Sequence, residues 1–211
     1  MEKSEKFREQ KAGFVHLIGR ERNLNKDNGV EENRDRLVGQ LRAGNRAAAR
    51  ELVDIYYEQI YLFLRRLGHS RQAGEDLTQE CFLQAWYRIS QLKNGQMLNG
   101  WLYGIAANTS KQYWRKNKSE EAVDIGEIDV PDNGSMVSPE KAVHYEQLVR
   151  LKIALGRLSR KLKQAVVMHY MQQLTIEEAA EAMGVREGTL KSRLNRALKV
   201  LKKQIDPEME S

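Results

Sequence analysis

A single cysteine in 211 residues leaves no partner for an internal disulfide. Cys81 sits at helical spacing among apolar residues, which reads as core packing. With 3 prolines, 15 glycines and 7% aromatics, the chain has few helix breakers and few of the residues that favour strands. Leu, Ala, Arg, Lys and Glu dominate instead, so the expected fold is all-α. Apolar runs such as Ala165-Val166-Val167-Met168 fall far short of the ~18 to 20 residues that span a bilayer. The opening Met1-Glu2-Lys3-Ser4-Glu5-Lys6 alternates charge and leads into no apolar secretory segment, so a cytoplasmic location is expected. The four histidines, His16, His69, His144 and His169, are scattered. There is no His-Glu-x-x-His, cysteine pair, glycine-rich phosphate loop or nucleophile elbow. An enzyme is not expected, nor is a metal or cofactor.

What the chain has in quantity is charge, unevenly placed. It carries 35 Lys+Arg against 29 Asp+Glu, net +6. Residues 35–118 hold 13 basic and 7 acidic groups, and residues 141–211 hold 14 and 8. Between them, residues 119–140 contain no Lys or Arg and seven acids. Two basic halves flanking an acidic stretch with Pro131-Asp132-Asn133-Gly134 predict two small domains, 35–118 and 140–205, joined by a flexible acidic linker, 119–139. Residues 1–34 read as an N-terminal extension with one short helix over 14–18, and 206–211 as a tail.

In the first half, Ala48, Leu52, Ile55, Tyr56, Ile60, Phe63, Leu64 and Leu67 recur at three- and four-residue steps and stop at Gly68, predicting a long amphipathic helix with a glycine cap. A second helix is expected from about Glu75-Asp76, with Leu77, Cys81, Phe82, Ala85, Trp86 and Ile89 inward and Asp76, Gln79, Glu80 and Gln84 outward. A turn-rich loop over 90–100 precedes a third helix over 101–114, which ends in the basic run Arg115-Lys116-Asn117-Lys118. The aromatics Trp101, Tyr103, Tyr113 and Trp114 interleave there with Lys111, Arg115 and Lys116, a composition suited to single-stranded DNA. Trp101 is assigned to the core.

In the second half, helices are expected over 139–158, 162–171, 176–183 and 188–203. Thr175-Ile176-Glu177-Glu178 has the pattern of a capping box. Met183-Gly184-Val185 then breaks the chain before another helix, the signature of a helix-turn-helix. At about 100° per residue from Leu190, residues Leu194, Ala197, Leu198 and Leu201 fall within roughly 80°. Ser192, Asn195, Arg196 and Lys199 lie on the opposite face, with Lys191 and Arg193 at the flanks. One side packs, and the other can enter a DNA groove.

The particular residues resemble the extracytoplasmic-function (ECF) group of the bacterial sigma-70 family of RNA polymerase sigma factors. Four stretches over roughly 36–204 carry the resemblance: 44–60 with Tyr56; Glu75-Asp76-Leu77-Thr78-Gln79-Glu80-Cys81-Phe82-Leu83-Gln84-Ala85-Trp86; Trp101-Leu102-Tyr103-Gly104-Ile105-Ala106-Ala107-Asn108; and Gly188-Thr189-Leu190-Lys191-Ser192-Arg193-Leu194. The resemblance implies a sigma region 2 bundle and a sigma region 4 helix-turn-helix. It implies docking of Asp76, Gln79, Glu80 and Gln84 on the β′ clamp helices of core RNA polymerase, with a second contact at the β flap. By the same resemblance the 90–100 loop, including Asn94, holds a base flipped from the −10 element, at a cost of a few kcal/mol offset by stacking and hydrogen bonds. Asn108, Lys111, Tyr113, Trp114, Arg115 and Lys116 would then serve the −10 DNA. Thr189, Lys191, Ser192, Arg193, Asn195, Arg196 and Lys199 would serve the −35 element, with Lys191, Arg196 and Asn195 suited to base edges and Arg193 and Lys199 to phosphates. The linker would thread the polymerase toward its active-site cleft. An anti-sigma factor is an implied partner, which could hold the protein at a membrane that the chain does not itself enter. The competing reading is a free-standing helix-turn-helix regulator binding operator DNA, which accounts for the second half but has no use for the face from Asp76 to Trp86.

Overall fold

In the computed structural model, which describes residues 27–117, 149–151 and 153–205, every regular element is helical. The acidic linker, the helix expected over 14–18, the start of the one expected from 139 and the tail all lie outside the described residues.

Helix α1 (Asp27–Arg42) starts inside the segment read as an extension. Its purchase on the fold is apolar, since Leu37, Val38 and Leu41 are each 2% exposed. Helix α2 (Arg46–Leu67) begins where the Asn45 side chain accepts the amides of Ala47 and Ala48. It ends at Gly68, whose φ of 105° is costly for any residue with a Cβ. Its inward stripe, Leu52, Tyr56, Ile60, Phe63, Leu64 and Leu67, is buried, each large side chain contributing about 1.5–3 kcal/mol. Ile55, expected in the same stripe, is exposed instead, since it lies about 100° from Tyr56, outside the buried arc.

Helix α3 (Arg71–Arg88) starts four residues before the acids that suggested its beginning, because the Ser70 hydroxyl accepts the Ala73 amide at 3.2 Å. A direct cap on an orphan amide outweighs a favourable charge in the first turn. Cys81 is fully buried. Burial, with the Glu80 charge adding to it, pushes its thiol up to about 12, so it stays protonated. Two 3-10 turns, Ile89–Gln91 and Gly95–Met97, lead into α4 (Leu98–Lys116), which starts three residues before the expected 101, so that the loop ends at Met97.

In the second half the described residues of 149–156 are helical, followed by α5 (Arg160–Val166), which widens into a π turn over Val167–Met171. Helix α6 (Ile176–Ala182) carries the expected capping box, with Thr175 Oγ1 accepting the Glu178 amide at 3.1 Å and Glu178 Oε2 accepting the Thr175 amide at 2.7 Å. Gly184 turns the chain at φ 62°, and α7 (Glu187–Ile205) follows. Leu190, Leu194, Ala197, Leu198 and Leu201 are all buried, which matches the helical arithmetic.

The two halves share one core. The Tyr103 ring of α4 packs edge-on to Phe63 at 5.2 Å, and its hydroxyl donates to Gln172 Oε1 at 2.8 Å. The largest contact across the seam is α4 against α6, and it depends on missing side chains. A Cβ on Gly104 would lie 3.3 Å from Ala182 Cα and 3.4 Å from its carbonyl oxygen, and one on Gly100 would lie 3.3 Å from Glu178 Cβ. Two glycines one turn apart make a flat seat for α6. Replacing Gly104 by leucine should force α6 off α4 at a cost of about 1–3 kcal/mol. Small-angle scattering should then show a larger radius of gyration at unchanged helicity, whereas Gly39→Ala, with no neighbour within 4 Å of the new atom, should leave it unchanged.

Candidate nucleic-acid interface and docking face

On α3, Asp76, Gln79 and Glu80 are exposed, and Gln84 is half-buried with its amide donating to Glu80 Oε1 at 2.7 Å. The structure adds two residues that sequence reasoning passed over. Leu83 is 54% exposed and Tyr87 79% exposed. From Asp76 the steps to Glu80, Leu83 and Tyr87 are four, three and four, so the four residues form one stripe within roughly 60° of arc. That spacing was the available signal; a leucine and a tyrosine in a helix read first as core. A stripe mixing carboxylate, amide and uncovered apolar groups suits a protein partner better than a nucleic acid.

On α4 the side chains of Asn108 and Lys111 are exposed and continue the line begun by Gly100 and Gly104. The first turns of that line lie under α6; the rest opens into a cleft of about 710 Å³ between the halves. Arg88, Lys93 and Lys111 line it from the first half, Lys161 and Arg193 from the second, and Glu181 is the one acid among its described lining residues. Low-dielectric walls of one sign focus the field outward and favour a polyanion.

Asn94 caps the turn Gly95–Met97, its Oδ1 accepting the Met97 amide at 3.1 Å. Its acceptor is therefore engaged, and its NH₂ donors remain for a base edge. Arg115 and Lys116 are exposed in the last turn of α4, where the helix dipole favours cations. Trp101 is half-buried against the core, as expected.

Tyr113 and Trp114 point into the seam. Trp114 stacks on His69 at 4.7 Å and carries the Arg160 guanidinium 4.8 Å from its ring centre. Tyr113 meets His69 edge-on at 5.1 Å. His69 is 1% exposed, its Nε2 bonded to Ser110 Oγ at 2.7 Å. Burial, reinforced by Arg160, Lys163 and Arg65, lowers its pKa to about 4, so the ring is neutral here. Burial and Arg160 likewise lower that of Lys163.

On α7, Thr189, Lys191, Ser192, Asn195, Arg196 and Lys199 are exposed together on one face. Glu187 holds the Lys191 ammonium at 3.0 Å, and Ser192 Oγ donates to the Gly188 carbonyl at 2.9 Å. Asn195 and Arg196 have no hydrogen-bond partner among the described residues, which leaves their planar groups available to base edges. Arg193 departs from the group; it is half-buried and lines the cleft toward α4. At roughly 60° from Leu190 it sits nearer the packed side than the groove side.

Residues 52–120 match the model of Sigma-70 region 2, and residues 148–201 that of Sigma-70, region 4. The chain is 31% identical over 178 residues to the ECF RNA polymerase sigma factor SigW of Bacillus subtilis (strain 168), covering 80% of this chain and 94% of that protein. It is 28% identical over 188 residues to the ECF RNA polymerase sigma-E factor of Haemophilus influenzae, covering 82% and 95%. Among solved structures it is similar in fold to CnrH, described in complex with the cytosolic domain of CnrY, with a TM-score of 0.62 and 22% identity over 83% of this chain and 99% of that one. The sigma factor RpoE of Bartonella quintana, solved with the anti-sigma factor NepR, gives a TM-score of 0.57 and 23% identity over 75% and 97%.

The depressed pKa of His69 makes the packing of Tyr113 and Trp114 depend on pH. The unfolded ring binds its proton near pH 6.5 and the folded ring near 4. The contribution is therefore complete above about pH 6.5, falls as pH drops through that window, and levels off below about 4, with a span on the order of a few kcal/mol. Thermal melts between pH 7 and pH 4.5 should show this slope, and His69→Gln should flatten it.

Proposed function

We propose the following division of labour for this chain, which belongs to the ECF group of the sigma-70 family of RNA polymerase sigma factors and directs core polymerase to promoters. The α3 stripe of Asp76, Gln79, Glu80 and Gln84, joined by Leu83 and Tyr87, docks on the clamp helices of core polymerase. Asn108 and Lys111 on α4, with Asn94 in the loop before it, engage the opened −10 strand, and Arg115 and Lys116 hold its phosphates. Thr189, Lys191, Ser192, Asn195, Arg196 and Lys199 on α7 read the −35 element in the major groove. The observation that carries this reading is the physical separation of surfaces: the acid, amide and apolar stripe lies on α3, while the cation-rich faces lie on α4 and α7.

Tyr113 and Trp114 can meet single-stranded DNA only if the rings leave His69 and Arg160, and the line from Gly100 to Lys111 is fully open only if α6 lifts away. The two halves therefore part when the protein loads onto polymerase and promoter. A partner that keeps them together would silence the protein, the role we assign to an anti-sigma factor of the kind named with the Bartonella structure. No helix among the described residues is long and apolar enough to cross a membrane.

Sigma-free core polymerase supplied with fragmented genomic DNA and this protein should produce new RNA 5′ ends that share two spaced upstream elements. The double variant Asp76→Lys, Glu80→Lys should abolish them by loss of core binding. Normal initiation by that variant would refute the α3 assignment. Arg196→Ala should cost about 1–3 kcal/mol of −35 discrimination and relax the preferred base at one position, measured by competition among −35 variants.

A further inference from the structure

We propose that helix α1 is the positioning platform for the −10 reading loop, with Asp35 and Arg42 as its positioning residues. This rests on the reading of the 90–100 loop as a contact for the −10 element. Asp35 Oδ1 accepts the backbone N–H of Gly95 at 2.7 Å, across a sequence separation of 60 residues. Arg42 donates from Nη2 to the carbonyls of both Leu92 and Lys93, the latter at 3.1 Å. The two side chains are seven residues apart on α1, hence within about 20° of the same face and about 10 Å along the axis. They grip the loop at Lys93 and Gly95, on either side of Asn94. The Oδ1 of Asn94 is already held by the Met97 amide, so the direction in which its NH₂ donors project is set by backbone that α1 fixes.

The contact is close enough to tolerate only glycine at position 95. A Cβ there would lie 2.5 Å from Asp35 Oδ1 and 2.7 Å from both Arg34 C and Asp35 N. Backbone on the α1 side cannot swing aside as the end of a flexible side chain can. The platform is itself anchored, by the burial of Leu37, Val38 and Leu41 and by the ion pair of Arg36 with Glu51 on α2 at 2.7 Å. A reading group must be held to about half an ångström to discriminate, and the loop's own turns leave its middle dependent on these outside bonds.

The test measures transcription by core polymerase with the full chain on two promoter panels, one varying single −10 bases and one varying single −35 bases. Asp35→Ala should compress the ratio of best to worst −10 base by roughly tenfold, the scale expected when a contacting group shifts by a fraction of an ångström. It should leave the −35 ratios and core affinity unchanged. Asp35→Asn retains an acceptor oxygen and should restore the −10 ratios, a rescue that a merely structural role would not produce. Gly95→Ala, with Asp35 intact, should compress them in the same way. Unchanged −10 ratios in Asp35→Ala, while Asn94→Ala compresses them, would overturn the positioning role and leave the loop reading standing. If neither variant changes them, the loop reading fails and the proposal falls with it. Equal losses on both panels, unrescued by Asp35→Asn, would mark general damage and also overturn it.

Discussion

The close approach of α6 to the glycine face of α4 is the contact on which the arrangement of the two halves depends. Helix α4 buries Leu102, Ile105, Ala106 and Thr109 as part of the first half and offers Gly100 and Gly104 to the second. With no side chain at those positions, helix backbones meet at distances that admit only Ala182 and the stem of Glu178. The Tyr103 to Gln172 hydrogen bond and the His69, Trp114 and Arg160 stack then follow from where α6 has brought the second half. Of the buried polar groups near the seam, His69 Nε2 pairs with Ser110 Oγ and Thr109 bonds back to the Ile105 carbonyl within α4, while His69 Nδ1 and Gln172 Nε2 have no partner among the described residues.

The same geometry makes α4 serve two masters. The line of residues that seats α6 runs on into Asn108 and Lys111, so one helix face is shared between an internal contact and the one suited to DNA. Five basic side chains around a cleft with a single acid among its described lining residues repel one another when the halves are together, and a polyanion would relieve that repulsion. On the proposed reading, closed packing and DNA engagement are alternatives for one surface. The α3 stripe lies outside this competition, because Asp76, Glu80, Leu83 and Tyr87 remain uncovered with the halves together.

Much of this was legible in the residues. The buried stripe of α2 apart from Ile55, the glycine cap at Gly68, the capping box at Thr175 and the packed face of α7 follow from periodicity and local hydrogen bonding, and the structure reproduces each. The start of α3 was misplaced because acids at Glu75-Asp76 are a weaker signal than a serine cap at Ser70. Only the first turns of α1, up to residue 34, fall in the segment read as extension, because that run of charge holds few apolar positions; Leu37, Val38 and Leu41 lie inside the first domain as drawn, and they gain their value against α2 and the loop. Arg193 was grouped with the DNA face although its angle placed it near the packed side. Leu83 and Tyr87 were passed over because exposure of an apolar residue is not a property of its spacing.

The sequence by itself determined the all-helical class, the register of each amphipathic face, the helix-turn-helix and the family, since all of these rest on interactions between residues within a few positions of one another or on motifs kept in order. Only the tertiary structure decided that Asp35 would hold Gly95, that Tyr113 and Trp114 would close on His69 and Arg160, and that α6 would lie on α4. Those contacts join residues 44 to 78 positions apart, and their free energy depends on distances of a few tenths of an ångström. Periodicity tells which side of a helix turns inward; it carries no information about which other helix will be there to meet it.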